Sequence, residues 1–323
     1  MLEVHLNYET GPEHRADLQN RLAPGVRLSM GEWRPKAGFD ILVSGAPTAR
    51  ELESNPRLRA VIVPWVGVPL ATLDLMQEFP HIALHNLPYN IGPTAEMGVA
   101  LLLAAAKRIV PSDRRFRQGY WSEDPSSKIP GSVMLDGGLA LILGYGRIGR
   151  RIGAACRGLG MRVAGVRRNP GTTAEEHAMG DLLELLPQAA ALIICLPHTH
   201  ETDHLIGRRE LEMLPANAVL VNVARGEIIE EDALYQTLQA RRIYAAGIDV
   251  WYRYPSAADR RQGLPHPPSS FPFHDLDNVV MSPHRAGWSD EKEPARIAEL
   301  AAMLNAAARG EPMPHRVDPL RGY

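Results

Sequence analysis

Leu139-Ala140-Leu141-Ile142-Leu143-Gly144-Tyr145-Gly146-Arg147-Ile148-Gly149-Arg150-Arg151-Ile152-Gly153 decides the fold. Five apolar residues run straight into a Gly-x-Gly-x-x-Gly turn. A run of that kind, ended by glycine, reads as a buried parallel strand. Ile148, Ile152 and Cys156 then recur at helical spacing, which puts the turn between a strand and a helix. Three glycines alone are a weak signal. The strand before them, the helix after them and a second strand over residues 161–166 together predict a dinucleotide-binding βαβ unit. Gly144 is expected to make the tight turn, Gly146 to let the backbone approach a pyrophosphate, and Gly149 to let helix and strand close up. The phosphates are then expected on the helix N-terminus, where free N–H groups and the dipole favour anions. The second strand ends at Arg167-Arg168-Asn169-Pro170. An acid there would bond the ribose 2′-hydroxyl of NAD, whereas arginine accommodates a 2′-phosphate. The expected cofactor is therefore NADP(H), ahead of NAD(H).

Composition narrows the class. The 323 residues suggest two domains, and 45% hydrophobic with 22% charged residues fits a globular chain. A net charge of -2 argues against a general nucleic-acid binder. Cys156 and Cys195 both lie in apolar stretches and read as buried thiols, which suits a reducing, cytoplasmic setting. Residues 2–6 alternate like a strand rather than reading as a secretory signal, and the longest apolar run, 99–106, is too short to span a membrane.

Residues 1–90 read as alternating strands and helices, with strands expected at 2–6, 26–30, 40–44, 60–64 and 82–85. That pattern predicts a parallel sheet covered on both faces. The run at 60–64 leads into Trp65-Val66-Gly67-Val68. Loops beyond the carboxyl ends of parallel strands are where open sheets bind ligands. The turn-rich stretch 86–93 is expected to cross between domains, and Thr94 to cap an apolar helix running to Ile109. That helix is apolar nearly all round, so it should be buried, partly against a second subunit. Residues 111–136 read as a connecting arm.

Further buried strands are expected at 192–197, 218–226, 245–251 and 279–284, with helices at 182–186, 230–240 and 292–309. Arg225 closes one of these strands and His284 another. A guanidinium can hold a carboxylate with two parallel hydrogen bonds. An arginine and a histidine that both close strands of one sheet are candidates to converge. His198, His200 and His204 share no evident face, so a polar loop is expected there and no metal site.

Taken in order, these motifs resemble the D-isomer-specific 2-hydroxyacid dehydrogenases. Thr94-Ala95-Glu96 resembles the family's domain-crossing helix start, and Gly144–Gly149 its cofactor turn. Cys195-Leu196-Pro197 with Thr202, Asn222-Val223-Ala224-Arg225-Gly226, Ala246-Gly247-Ile248-Asp249-Val250 and Ser282-Pro283-His284 with Gly287 follow the family's order. The resemblance implies an α/β protein of two Rossmann-like domains with parallel sheets and an active site in the interdomain cleft. It implies a flavodoxin-like substrate domain of residues 1–92 plus 290–323, a dinucleotide-binding domain of 93–289, and a homodimer through the latter. Arg225 would hold the substrate carboxylate and His284 would be the general acid/base. Val66, Gly67, Val68 and Asn90 would complete the substrate site. Thr94, Arg147, Ile148, Leu196, Pro197, Thr202, Val223, Ala224, Asp249, His284 and Gly287 would join the glycines and Arg167 and Arg168 around the cofactor.

Two departures stand out. The family's acid five residues after its Asp-Val aspartate is Tyr254 here, and the loop from Tyr254 to His284 is longer than usual. Asp259, Asp275 and Asp277 are the candidates to replace that acid. Trp65, Trp288 and the 255–272 loop are the candidate pocket walls. The implied activity is reduction of a 2-keto acid, glyoxylate- or hydroxypyruvate-like, to a D-2-hydroxy acid. A formate- or phosphite-like hydride donor is the first rival. A cofactor-sensing regulator that has lost catalysis is the second.

Overall fold

The computed structural model describes residues 1–32, 38–121 and 131–323. In chain order the first elements are β1 (Leu2–Leu6), α1 (Pro12–Arg21), β2 (Val26–Met30), β3 (Ile41–Val43), α2 (Ala49–Glu53), β4 (Ala60–Val63), α3 (Leu70–Gln77) and β5 (Ala83–Asn86). Next come α4 (Ile91–Ala106), α5 (Ile109–Phe116), β6 (Leu139–Leu143), α6 (Arg147–Gly158), β7 (Arg162–Val166) and β8 (Glu176–His177). They are followed by α7 (Leu182–Leu185), β9 (Ala189–Ile194), α8 (Arg208–Met213), β10 (Val219–Asn222), α9 (Glu231–Gln239) and β11 (Ala245–Ile248). The chain closes with α10 (Ala257–Gln262), β12 (Val279–Met281), α11 (Lys292–Ala308) and β13 (Arg316–Val317).

The chain divides into two units. The first is Met1–Ile91, Pro197–His200 and Gly287–Tyr323, and the second is Gly92–Leu196 and Glu201–Ala286. The four residues Pro197–His200 group with the first unit, a detail the expected boundaries do not contain. The first unit holds a sheet of order β13-β5-β4-β3-β1-β2, parallel except for β13. Leu18 of α1 and Ile297, Leu300 and Leu304 of α11 pack one face of it, while Leu52, Leu73 and Met76 pack the other.

The second unit holds a parallel sheet of order β12-β11-β10-β9-β6-β7-β8. Chain order reverses between β6 and β9, so this is the switch point at which such sheets bind ligands. All five residues of β6 are buried. Fully burying a leucine or isoleucine contributes about 1.5–3 kcal/mol, so β6 anchors the sheet.

Several expected boundaries shift. Thr94 does not cap α4, because the helix already begins at Ile91. The helix expected to run to Ile109 ends at Ala106, and Arg108, at φ 53, breaks the chain before α5 begins at Ile109. The expected arm therefore starts as helix, and its residues 122–130 lie outside the described ones. Strands β10, β11 and β12 all stop short of the expected 226, 251 and 284. The polar residues Asn222, Asp249 and Ser282 stand at or just beyond these strand ends.

Two buried histidines lie in the first unit. His5 stacks on Phe39 at 5.2 Å and shares a hydrogen bond with Ser29 Oγ at 2.9 Å. His85 Nδ1 meets the Pro314 carbonyl at 2.8 Å. Burial lowers both pKa values, and the nearby Arg316 and His315 add to the effect at His85. Unfolded histidines take up protons near pH 6.5, so the native state is favoured above that value and loses stability as pH falls below it. Each group contributes up to about 1.4 kcal/mol per pH unit. Between pH 7.5 and 5.5, Tm should fall, and a His5→Gln/His85→Gln variant should show a flatter curve from a lower start. Parallel curves would remove the two histidines as the cause.

Candidate active site

The glycine turn is built for close backbone approach. Gly144 has φ +96, and a Cβ there would lie 2.5 Å from the Leu196 nitrogen. A Cβ at Gly149 would run into the Gly144 carbonyl, so helix α6 and strand β6 can meet only over glycine. At Gly146, by contrast, a Cβ would meet nothing within 4 Å. Gly146 also precedes α6, and no side chain caps that helix. Open space over uncapped N–H groups fits a pyrophosphate, so these residues suit a dinucleotide. Tyr145 turns inward, and its ring occupies the space a Cβ on Gly165 would need.

Arg225 and His284 are positioned by two buried polar residues beyond β10 and β11. Asn222 is 1% exposed. Its Oδ1 accepts the Ala224 N–H at 3.0 Å, and its Nδ2 donates to the Arg225 carbonyl at 2.8 Å. This Asx-type turn ends β10 early and presents Arg225. Gly226 must follow, because a Cβ there would sit 2.6 Å from the Trp251 carbonyl oxygen. Asp249 is fully buried. Its carboxylate accepts the Arg285 N–H at 2.8 Å, the Ala286 N–H at 2.9 Å and the Ser282 hydroxyl. The His284 N–H donates to the Asp249 carbonyl at 2.8 Å. His284 itself has φ 56, a left-handed conformation that costs a non-glycine residue about 1 kcal/mol. Four hydrogen bonds accepted by Asp249, from the N–H groups of His284, Arg285 and Ala286 and the Ser282 hydroxyl, hold it there.

The electrostatics follow from this packing. Burial lowers the His284 pKa first, and the Arg225 charge lowers it further, while Asp249 and Glu227 pull it back up. Burial likewise lowers the Arg225 pKa, opposed by Tyr254 and Glu227. A guanidinium remains charged even so. A fixed cation whose charge reaches an imidazole can hold a carboxylate while the imidazole moves a proton.

Tyr254 is beside His284, with ring centroids 5.4 Å apart and planes at 55°. Its hydroxyl accepts the Trp251 N–H at 3.0 Å. The candidate replacement acids are engaged elsewhere: Asp277 with Arg241, Asp275 with His274, and Asp259 with Ser256 in the cap of α10. Among the described residues no carboxylate lies within hydrogen-bond reach of the His284 ring. Asn222 and Ser282 lie inside the motifs read from the sequence, but their anchoring bonds appear only in the fold. Glu227, whose charge reaches Arg225 and His284, has no signal in the motifs.

Val223, Ala224, Leu196, Thr94 and Thr202 are buried in the second unit, and Arg147 and Ile148 open α6. Arg167 follows β7 directly and pairs with Glu176, and Arg168 pairs with Glu201. In the first unit the Val66 carbonyl accepts from Asn86 Nδ2 at 2.6 Å, which holds the loop carrying Gly67 and Val68. Gly287 lies against Asn90, and Pro197 follows in the same unit. Trp65 packs over Gly45, and Trp288 under the Lys292 ammonium at 4.5 Å. His200 pairs with Asp74 and His204 with Asp203, so these histidines face separate partners.

Residues 99–286 match the family model of the D-isomer specific 2-hydroxyacid dehydrogenase NAD-binding domain. The chain belongs to the D-isomer-specific 2-hydroxyacid dehydrogenase family. It is 33% identical to glyoxylate/hydroxypyruvate reductase B of Pectobacterium atrosepticum over 284 residues, covering 86% of this chain and 85% of that one. It is 33% identical to glyoxylate reductase of Korarchaeum cryptofilum over 276 residues, covering 84% and 79%. A Xanthobacter autotrophicus family member solved with NADPH and MES superposes with a TM-score of 0.81 at 23% identity, covering 100% and 99%, which shows the shared fold. The second unit is thus the NAD(P)-binding Rossmann domain of an oxidoreductase.

Reduction consumes a proton, so a His284 that supplies it reacts in its protonated form. Burial and the Arg225 charge lower its pKa, so the alkaline limb of kcat/KM for reduction is expected at lower pH than an unburied histidine would give. Tyr254→Glu sets an anion beside the ring and should move that limb upward, while Tyr254→Phe should lower activity with the limb unmoved. A limb that stays put in Tyr254→Glu would detach Tyr254 from the proton chemistry.

Proposed function

We propose that this protein reduces a 2-keto acid of the glyoxylate or hydroxypyruvate kind to a D-2-hydroxy acid, with NADP(H) preferred to NAD(H). The observation that carries the reading is the pairing of Arg225 and His284, each set by its own buried polar anchor, Asn222 and Asp249. The names of the Pectobacterium and Korarchaeum relatives support the substrate class. A bound nicotinamide supplies the hydride. Arg225 grips the substrate carboxylate through two parallel hydrogen bonds and fixes the carbonyl's orientation. The protonated His284 ring donates to the carbonyl oxygen as charge develops on it. The backbone N–H groups of Gly67 and Val68 serve the carboxylate as well, with Val66 and Asn90 in the same role.

The cofactor preference rests on Arg167 and Arg168 standing where an NAD-specific chain carries an acid. Thr94, Leu196, Pro197, Thr202, Val223, Ala224 and Gly287 carry the remaining cofactor contacts in this reading. Self-association through the cofactor domain is supported by α5, which leaves Ile109 53% and Phe116 54% exposed. Large apolar side chains on one short amphipathic helix suit burial against a second copy. Two free cysteines, Cys156 with its thiol pushed up to about 11, suit a cytoplasmic setting.

NADPH oxidation with glyoxylate, hydroxypyruvate, pyruvate and phenylpyruvate tests the assignment. Reduction of NADP⁺ by formate or phosphite instead would favour the hydride-donor rival, and no turnover at all the regulator. Arg225→Lys removes the planar fork while keeping the charge. Its kcat/KM for the best keto acid should fall about 10- to 100-fold, the effect of losing one charge-assisted hydrogen bond, with NADPH affinity little changed. Near-normal turnover would take Arg225 out of the site.

A further inference from the structure

The turn after β7 carries two arginines; Arg168 pairs with Glu201, and the charge of Arg167 is shared with an acid from the next strand. Glu176 stands on β8, opposite Gly165 of β7. Its side chain is 5% exposed. Arg150 of α6 donates to Oε1 at 2.7 Å, and Arg167 pairs with Oε2 at 3.4 Å. The Gly171 N–H donates to Oε2 at 2.7 Å, which ties the turn itself to the same carboxylate. The Arg150 bond, the Gly171 bond and the two positive charges hold the Glu176 carboxyl below the usual range, so it is an anion at neutral pH.

We propose that Glu176 sets discrimination at the adenosine 2′-position, as a built-in counter-anion that competes with a 2′-phosphate for Arg150 and Arg167. The proposal rests on the reading that the turn after β7 meets the adenosine ribose. Arg167 is the first residue beyond that strand, where Rossmann domains contact the 2′ group. A 2′-phosphate brought there carries close to two negative charges. It must share the two guanidinium groups with a carboxylate already bonded to both. A free 2′-hydroxyl meets no repulsion and can donate to that carboxylate instead. The arginines therefore favour NADP(H) while Glu176 favours NAD(H), and the cofactor preference is set by their balance.

Glu176→Gln separates the two, because an amide oxygen keeps an acceptor for the Gly171 N–H while the charge is removed. The probes are 2′,5′-ADP and 5′-ADP, titrated calorimetrically into the full-length protein, so no turnover enters the readout. The ratio of their affinities in Glu176→Gln should rise about tenfold in favour of 2′,5′-ADP, a gain that shrinks at high salt because the site is partly exposed. Arg150→Gln withdraws a cation and leaves Glu176 charged, so its ratio should fall below wild type. A constant or reversed ratio in either variant overturns the proposal. Arg167→Ala tells this apart from failure of the underlying reading. A fall in its ratio with no rise in Glu176→Gln discards Glu176 alone. No change in either discards the placement of the ribose as well.

Discussion

A single buried carboxylate holds the proposed catalytic loop together. Asp249 has no exposed surface, and its two oxygens accept the N–H groups of Arg285 and Ala286 and the Ser282 hydroxyl. A buried charge stripped of such partners costs about 3–5 kcal/mol. The loop can therefore take few shapes other than the one that wraps those donors around Asp249. That shape forces His284 into a left-handed backbone and sets its ring against Tyr254 and within the field of Arg225. The strain at His284 is local and is offset by bonds made one and two residues later.

The same device recurs one strand away. Asn222 ends β10 by folding its side chain onto the backbone of Ala224 and Arg225. Asp249 N–H in turn donates to the Asn222 carbonyl at 3.0 Å, so the two anchors are coupled across neighbouring strands. Both lie at carboxyl ends of a parallel sheet whose order switches between β6 and β9. Fold and chemistry thus share one requirement: strands short enough that a polar residue at the end, or just past it, is satisfied by the turn that follows.

This explains what the sequence made legible. The run at 139–143 reads directly as β6, because five consecutive buried residues leave no alternation to misread. Arg225 and His284 are visible as charged residues closing apolar runs. The ends of those runs are not visible, since hydrophobicity continues through Val223 and Ala224 after the ladder has stopped at Asn222. The break at Arg108 is equally hidden, because no glycine or proline marks a left-handed arginine. Tyr254 is found by position, yet its bond to the Trp251 N–H depends on a turn that only the folded chain has. Glu176 is beyond reach of periodicity altogether, as β8 is two residues long and matters only through its pairing with β7.

The Asp249 carboxylate, rather than strand packing, fixes the loop that carries His284. Amide hydrogen exchange at Arg285 and Ala286 measures it directly, in the wild-type protein and in Asp249→Asn. An amide side chain offers one acceptor oxygen in place of two. Both amides should be strongly protected in the wild type, and one or both should lose protection in the variant while β11 and β10 stay protected. Equal protection of Arg285 and Ala286 in the two proteins would contradict that role of Asp249.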